Sequence, residues 1–351
     1  MLFLRLFLFP IFVLTLTLAG CSPSGRPAAT ETPQSATVTP TLQATDTPLP
    51  SPTPEPRLVL LAPEGADPAG VSEVEKLARE LAAGEGLKLE VKQALSPADL
   101  PPDGRVVIAL PPDPGLAAMA AAVPQTHFVA LGIPGLQPGG NLAVVDPGSR
   151  RMDQEGFLAG YLASVLTPDW RVGVISTADS PEGKSARLGF TNGVIFYCGL
   201  CRPAYPPFVQ YPIAYDLPAG AGQAELQAAA DAMISQAVTT VYVAPGASDP
   251  FLLDYLARAG VNLIGGSAPP ESVKERWIAT IRPDLLAGLR QAWEQWASGA
   301  APAAQSLPVA VVYRNEALFS VGRQRLVDQI AQELAAGLID TGVDPTTGEA
   351  R

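Results

Sequence analysis

The sequence predicts an α/β fold of two doubly wound parallel-sheet lobes joined by a hinge. Short continuous apolar runs alternate along the chain with amphipathic helical patterns, which is typical of parallel strands covered by helices on both faces. These patterns extend over about 295 residues, from Arg57 to the C-terminus, and that length exceeds the usual size of one hydrophobic core. The chain is therefore expected to build two sheets and two cores.

The N-terminus reads as a secretion signal. Arg5 is the only charged residue before an apolar run that ends in the letters LAGC at Cys21. These four residues resemble the bacterial lipobox, in which the cysteine thiol is acylated and becomes the mature N-terminus. The alternative is an uncleaved anchor with an incidental cysteine, although the run is near the lower limit of ~17 residues for a membrane-spanning helix. We expect a lipoprotein signal peptide over residues 1–20 and an extracytoplasmic protein held at the cell membrane by lipid on Cys21.

Residues 21–56 then form a tether between Cys21 and the folded part. The segment is rich in Pro, Thr and Ser, and its apolar residues are too sparse to bury. We expect an extended linker that spans on the order of 100 Å when stretched at ~3.1 Å per residue.

The folded part divides by its strand and helix patterns. The first lobe is predicted over residues 57–166 plus about 283–305, and the second over residues 167–282 plus about 306–351. The predicted helices are Val71–Gly84, Asp153–Leu166, Ser185–Ile195, Ala224–Gln236, Pro250–Ala259 and Asp284–Ala297. Strand-like runs lie between them, among them RVVIAL, HFVALG, RVGVIS, FVQYPIAY, TTVYVAP and PVAVVY.

The stretch DQEGFLAGYLASVLTPDWRVGVIS, which starts at Asp153, is the most informative. Gly156 and Gly160 fall inside its helical pattern. A glycine inside a helix costs ~1 kcal/mol relative to alanine. The pair therefore predicts that this helix packs closely on a neighbour.

The same stretch resembles the basic membrane protein family of substrate-binding lipoproteins, which includes purine-nucleoside receptors of ABC importers. The residues that carry the resemblance are Glu155, Gly156, Phe157, Leu158, Ala159, Gly160, Thr167, Arg171, Val172, Gly173, Gly189, Phe190, Gly193 and Val194. The resemblance implies a type 1 periplasmic binding protein fold, a hinge of several crossings and a ligand in the cleft between the lobes.

The position of the ligand follows from a general rule. In open α/β sheets, ligands bind beyond the carboxyl ends of the strands, and in a two-lobed protein those ends face the cleft. The rule selects the loops APEGADPAG, STADSPEGK, AYDLPAG, APGASDP and GGSAPP, each of which could equally be an ordinary βα turn.

The family resemblance then suggests particular residues in these loops. It assigns ligand contacts to Asp67 in the first loop, to the aromatic–Asp pair Tyr215 and Asp216, and to Gly246. Ser267 stands where the family usually has an Asp that holds a ribose, and Arg282 lies near the place of an expected lysine. The expected aromatic residue of the first loop is absent. These departures fall among the positions that contact the ligand in the family, so the expected small-molecule ligand is either a nucleoside or another solute.

The two remaining cysteines, Cys198 and Cys201, form a C-x-x-C pair. A zinc site would need further Cys or His ligands, and the sequence has no second pair and only one histidine, His127. A thioredoxin-like motif would open a helix after a strand. In an extracytoplasmic protein a local disulfide is expected instead, and no metal or other cofactor is.

The remaining features weigh against other function classes. The net charge of −11 disfavours nucleic-acid binding, which needs clustered Lys and Arg. The sequence has no G-x-S-x-G elbow, no histidine cluster and no P-loop pattern, so no enzymatic activity is expected. The sequence predicts a solute receptor that delivers its ligand to an ABC permease. The alternative is a sensor or scaffold lipoprotein with the same fold and a degenerate pocket.

Overall fold

The computed structural model describes residues 56–100, 105–148 and 150–351. The signal peptide, Cys21 and all of the tether before Pro56 lie outside the described residues, so the lipid anchor stays a prediction. None of the helices in the described part of the chain is long and apolar enough to cross a membrane.

The first lobe is built on a six-stranded, fully parallel sheet. Its strands are β1 (Arg57–Leu61), β2 (Lys88–Lys92), β3 (Val106–Ala109), β4 (His127–Leu131), β5 (Leu142–Val145) and β11 (Ala304–Gln305). They lie in the order β11-β5-β4-β3-β1-β2. The central strands are buried on both faces, which explains why they read as continuous apolar runs.

Helices cover both faces of this sheet. On one face, α1 (Pro68–Gly84) and α7 (Leu285–Ala297) pack their apolar side chains against alternate strand residues such as Leu58 and Ile108. On the other face, α2 (Leu116–Ala122) covers Phe128 and its neighbours. The lobe thus has two apolar layers, one on each side of the sheet.

The second lobe repeats this plan. Its strands are β6 (Val172–Thr177), β7 (Ile213–Leu217), β8 (Thr240–Val243), β9 (Asn262–Gly265), β10 (Trp277–Pro283) and β12 (Val309–Arg314). They form a sheet of the order β12-β10-β9-β8-β6-β7, in which all neighbours are parallel except β12 and β10. The helices are α3 (Met152–Leu166), α4 (Pro181–Cys198), α5 (Gln223–Ser235), α6 (Pro250–Arg258) and α8 (Val321–Ala335). The predicted fold class is confirmed.

The chain crosses between the two sheets three times. The crossings follow β5, β10 and β11. The sequence-based boundary after residue 166 is wrong, because α3 packs against α4 and the second sheet rather than against the first. The first lobe therefore ends after β5, and the first crossing is the segment 146–151.

The contact between α3 and α4 confirms the prediction from the helical glycines. Gly156 and Gly160 of α3 face the backbone of α4, and Gly189 and Gly193 of α4 face the backbone of α3. A Cβ atom added at any of the four would lie within 3.0 Å of a carbonyl carbon or oxygen on the opposite helix. The four glycines therefore allow the two helix backbones to touch.

Candidate functional site

A cavity of about 1020 Å³ lies between the two lobes. Its walls come from the carboxyl ends of strands in both sheets, from the first crossing and from the C-terminal segment. Ligand pockets in proteins typically have volumes of 300–1,000 Å³, so the cavity is large enough for a small organic molecule. The lining residues include Asp67, Glu73, Asp146, Arg150, Arg151, Glu182, Gly266, Ser267, Arg282, Pro345 and Thr346.

Asp67 enters the cavity wall as the cap of α1. Its carboxylate accepts hydrogen bonds from the backbone N–H groups of Ala69 (3.3 Å) and Gly70 (3.0 Å), and Pro68 occupies the first turn. This Asp-Pro start fixes the loop that leads from β1 into the helix. The predicted contact Asp67 therefore has a structural role as well as a place in the cavity.

Arg282 connects the two lobes. It lies near the end of β10 in the second sheet, and its guanidinium forms an ion pair with Glu73 of α1 in the first lobe. Its Nε–H is buried and finds no hydrogen-bond partner in the described part of the chain. Ser267, which follows β9, lies in the same wall, and its carbonyl oxygen accepts a hydrogen bond of 2.8 Å from the Thr280 hydroxyl. The structure thus brings together Asp67, Ser267 and Arg282.

Tyr215, Asp216 and Gly246 are not among the described residues that line the cavity. Asp216 lies on the edge strand β7, where its carboxylate accepts hydrogen bonds from Ser176 Oγ (2.8 Å) and Arg187 Nη1 (2.9 Å). Gly246 is in a short turn after β8 that faces Thr177. Tyr215 and Asp216 belong to the edge strand of the second sheet, away from the crossings, whereas Gly246 follows the central strand β8. The structure does not bring these three residues to the wall of this cavity, and their role in ligand binding stays a prediction.

Sequence reasoning missed two arginines in the first crossing. Arg150 forms a bidentate ion pair with Glu155 of α3 (2.6 and 2.8 Å), and its Nη2 also reaches the carbonyl oxygen of Gly266 at 3.4 Å. Arg151 forms a bidentate pair with Asp153 (2.8 Å for both bonds). The letters RRMDQE hold both pairs, and a basic pair directly before an acidic helix start was a readable signal.

The carboxylate of Glu155 is fully buried, whereas the Arg150 side chain is 39% exposed. Burial raises the pKa of Glu155, and the charge and hydrogen bonds of Arg150 oppose this rise. Burial alone would lower the pKa of Arg150, but the carboxylate of Glu155 outweighs it and raises the pKa of the guanidinium. The hydroxyl of Tyr242 is buried near this pair and has no hydrogen-bond partner among the described residues, and burial raises its pKa strongly. The ion pair therefore joins a fully buried carboxylate to a partly exposed guanidinium.

Asp146 is a further missed residue. It directly follows β5 in a left-handed conformation with φ = 56°, and its backbone N–H donates to the carbonyl oxygen of Gln305 (2.6 Å). One carboxylate oxygen accepts a long bond of 3.5 Å from the N–H of Leu307. Burial raises the pKa of Asp146, and the Leu307 N–H and the charge of Arg150 oppose this rise. Asp146 therefore presents a half-buried carboxylate to the cavity with few protein partners.

The C-terminal segment closes one side of the cavity. Thr341 donates its hydroxyl proton to the buried carboxylate of Asp153 (2.8 Å), and Asn192 donates to the Thr341 carbonyl oxygen (2.8 Å). These bonds attach the segment to α3 and α4, and Pro345 and Thr346 then form part of the wall. The last residues of the chain are thus part of the site.

Cys198 and Cys201 lie away from the cavity-lining residues. Cys198 ends α4, and the structure joins the two cysteines in a disulfide with 5.1 Å between their Cα atoms. Within the described ranges, no group of three His, Cys, Asp or Glu residues is placed to hold a metal ion.

Comparisons with known proteins agree with this architecture. No protein-family model matches the sequence, and no curated protein matches it significantly. An ABC transporter solute-binding protein from Conexibacter woesei is similar in structure, with a TM-score of 0.60 and 18% identity over 82% of this chain and 98% of that chain. A second, from Aeropyrum pernix K1, has a TM-score of 0.55 and 14% identity over 82% and 93%.

A third similar structure is described as a transcriptional activator of the comK gene from Bacillus halodurans. Its TM-score is 0.52 at 11% identity, over 80% of this chain and 98% of that chain. At such identities the similarity shows the fold alone. The chain has the two-lobed α/β fold of periplasmic binding proteins, and proteins of different description share that fold.

Proposed function

We propose that the protein is a lipid-anchored extracytoplasmic receptor that binds a small molecule between its lobes and delivers it to the permease of an ABC importer. The observation that carries this proposal is the interlobe cavity. Its walls come from both sheets and from the first crossing, so a ligand in it would contact both lobes and the hinge at once. A ligand in such a place stabilises the closed arrangement of the lobes.

Two further observations support the proposal. Similar structures include solute-binding proteins of ABC transporter systems. The lipobox-like sequence and the Pro-rich segment after it suit a receptor held at the membrane beside its permease, where a tether raises the effective concentration of the receptor. Binding a solute and delivering it to a permease requires no chemical step in the receptor, and we propose no enzymatic activity.

Nucleosides are the first ligands to test, because the resemblance to the basic membrane protein family suggests them. The test is a thermal-shift screen of the full-length chain in mild detergent against nucleosides, nucleobases, sugars and amino acids. A ligand at 100 times its Kd adds about 2.7 kcal/mol to the free energy of unfolding, which raises the melting temperature by a few degrees. Silence across the panel with a cooperatively folded protein would count against a receptor of these solute classes.

A variant pair places any binding in the cavity. Ala66 lines the cavity, whereas Ala121 is exposed on α2 and is not among the lining residues. Ala66→Trp should weaken binding at least tenfold because the indole occupies ligand space, and Ala121→Trp should not. Equal effects of the two substitutions would show that the ligand binds elsewhere.

A sensor function is the second candidate. It is favoured by the structural similarity to a protein described as a transcriptional activator. A sensor would bind its ligand in the same cavity but would not associate with a permease. Co-purification of the membrane-bound protein with or without a permease and its ATPase, in the presence of ligand, separates the two functions.

A further inference from the structure

The cavity between the lobes has an excess of negative charge. Six carboxylates line it or bind its arginines, and three arginines are present. The carboxylates belong to Asp67, Glu73, Asp146, Asp153, Glu155 and Glu182, and the arginines are Arg150, Arg151 and Arg282. The formal charge of this set is therefore −3, and the chain as a whole carries −11.

The charge of each arginine is already balanced by a carboxylate of the chain, so the three arginines add no net positive charge to the cavity. Arg150 forms a bidentate pair with the buried carboxylate of Glu155, and Arg151 forms one with that of Asp153. Arg282 pairs with Glu73 of the other lobe. Each guanidinium keeps N–H groups outside its ion pair, among them the buried Arg282 Nε–H, and these can donate to an uncharged acceptor of the ligand. Because the three pairs cancel, the negative charge of the set rests on the three carboxylates for which the described residues show no ion pair.

The three remaining carboxylates, of Asp67, Glu182 and Asp146, differ in the positive charge or dipole that lies near each of them. Asp67 caps α1 and Glu182 lies in the first turn of α4, so the positive end of a helix dipole faces each of them. Asp146 follows a strand, is half-buried and accepts, from the described residues, a single long hydrogen bond. The nearest positive charge that acts on it is Arg150, whose guanidinium is already bound to Glu155. Asp146 is thus the least compensated carboxylate of the cavity.

We propose that the cavity selects small organic cations, with the carboxylate of Asp146 as the group that receives the ligand's ammonium. This inference rests on the proposed function, because it assigns a ligand class to the same cavity. An ammonium donates up to three hydrogen bonds and restores charge balance at a desolvated carboxylate. A volume of about 1020 Å³ suits an organic molecule rather than a bare metal ion.

The test compares ligands of similar size and shape that carry a positive, a neutral or a negative group. One triad is glucosamine, glucose and glucuronate, and the other is tyramine, tyrosol and 4-hydroxyphenylacetate. Binding to the full-length chain in mild detergent is measured by titration calorimetry at low and high NaCl. The amine should bind at least tenfold more tightly than its neutral partner, with the carboxylate weakest, and only the amine's affinity should fall with salt. A ligand found in the wider thermal-shift screen is tested in the same way against its own neutral and anionic analogues.

Two variants test the role of Asp146. Asp146→Asn should reduce the preference for the amine over the neutral partner to less than threefold, because the amide keeps the shape but lacks the charge. Asp254→Asn, on the surface of α6 outside the cavity, should leave the preference unchanged.

The outcomes separate the two proposals. A preference for neutral or anionic members, or a preference for amines that Asp146→Asn leaves unchanged, overturns the cation inference and leaves the receptor function standing. Absence of any ligand from both the triads and the screen overturns the receptor function and the inference with it.

Discussion

The contact between α3 and α4 makes a strong prediction about a single methyl group. A Cβ atom at position 160 would lie within 3.0 Å of the carbonyl group of Phe190 and 3.0 Å from the backbone nitrogen of Val194. These are backbone atoms of a helix, so they cannot rotate away as the end of a flexible side chain would. Gly160→Ala should therefore destabilise the protein although alanine is the better helix former.

The expected size follows from opposing effects. Alanine gains ~1 kcal/mol of helix propensity over glycine. Relief of the clash requires the helices to separate by about 1 Å, and a gap of that size forfeits a quarter to a half of the dispersion energy across the contact. The loss extends along the helix, because 13 of the 15 residues of α3 are buried. Overpacking of this kind typically costs 1–3 kcal/mol and occasionally more. Because the clash involves helix backbone along a largely buried contact, we place the overpacking cost at about 2–3 kcal/mol. After the gain of ~1 kcal/mol in helix propensity, we expect a net loss of about 1–2 kcal/mol in the free energy of unfolding.

The assay is urea unfolding followed by circular dichroism, with Gly84→Ala as the matched control. Gly84 ends α1, and a Cβ atom there would meet nothing within 4 Å. This control should be neutral or stabilising by up to ~1 kcal/mol. Gly193→Ala, on the opposite helix, should match Gly160→Ala. If Gly160→Ala proved as stable as the wild type, the close approach of the two helices would be refuted.

Three further predictions concern charge and attachment. Burial lowers the pKa of His127, so the folded protein favours the neutral imidazole. The free energy of unfolding should therefore fall as the pH drops from about 6.5 through the lowered pKa. The variant His127→Phe should lack this contribution to the pH dependence. Arg150→Ala should lower the free energy of unfolding, measured in urea, by about 1–3 kcal/mol because it leaves Glu155 buried and unpaired. The cost is below that of a fully buried pair because Arg150 is partly exposed. The double variant Arg150→Ala/Glu155→Gln should regain part of the lost free energy of unfolding. Cys21→Ser should move the protein out of the acylated membrane fraction, as read by mass spectrometry of its N-terminal peptide, and retention of the lipid would contradict the lipobox interpretation.

Local patterns sufficed for the fold class but not for every element boundary. The apolar runs and amphipathic helices identified both sheets, because buried parallel strands have a simple composition. The run FVQYPIAY suggested a longer strand than the observed Ile213–Leu217, since Pro212 lacks a backbone N–H for the ladder. The helix predicted from Ser185 begins at Pro181, where Ser180 caps it and proline occupies its first turn. That capping pattern was readable from the sequence.

The site was harder to predict than the fold, and for one physical reason. The rule about strand ends selected loops one at a time, and the family resemblance then suggested residues, of which Asp67 and Ser267 do line the cavity. Asp216 does not line it, because sequence patterns do not give the order of strands and its strand lies at the edge of the sheet. The groups that dominate the charge of the cavity lie where the chain crosses between lobes.

The first crossing can be located only when α3 is assigned to the correct lobe. If α3 belonged to the first lobe, as the sequence pattern suggested, Arg150 and Arg151 would lie in an ordinary loop within that lobe. Once α3 is packed on α4, the same residues lie in the hinge, and their partners Glu155 and Asp153 become the first buried charges of the second lobe. The four glycines that allow α3 and α4 to touch therefore also determine where the arginines stand. A change at Gly160 that shifts α3 should accordingly alter ligand affinity as well as stability, although no atom of Gly160 lines the cavity.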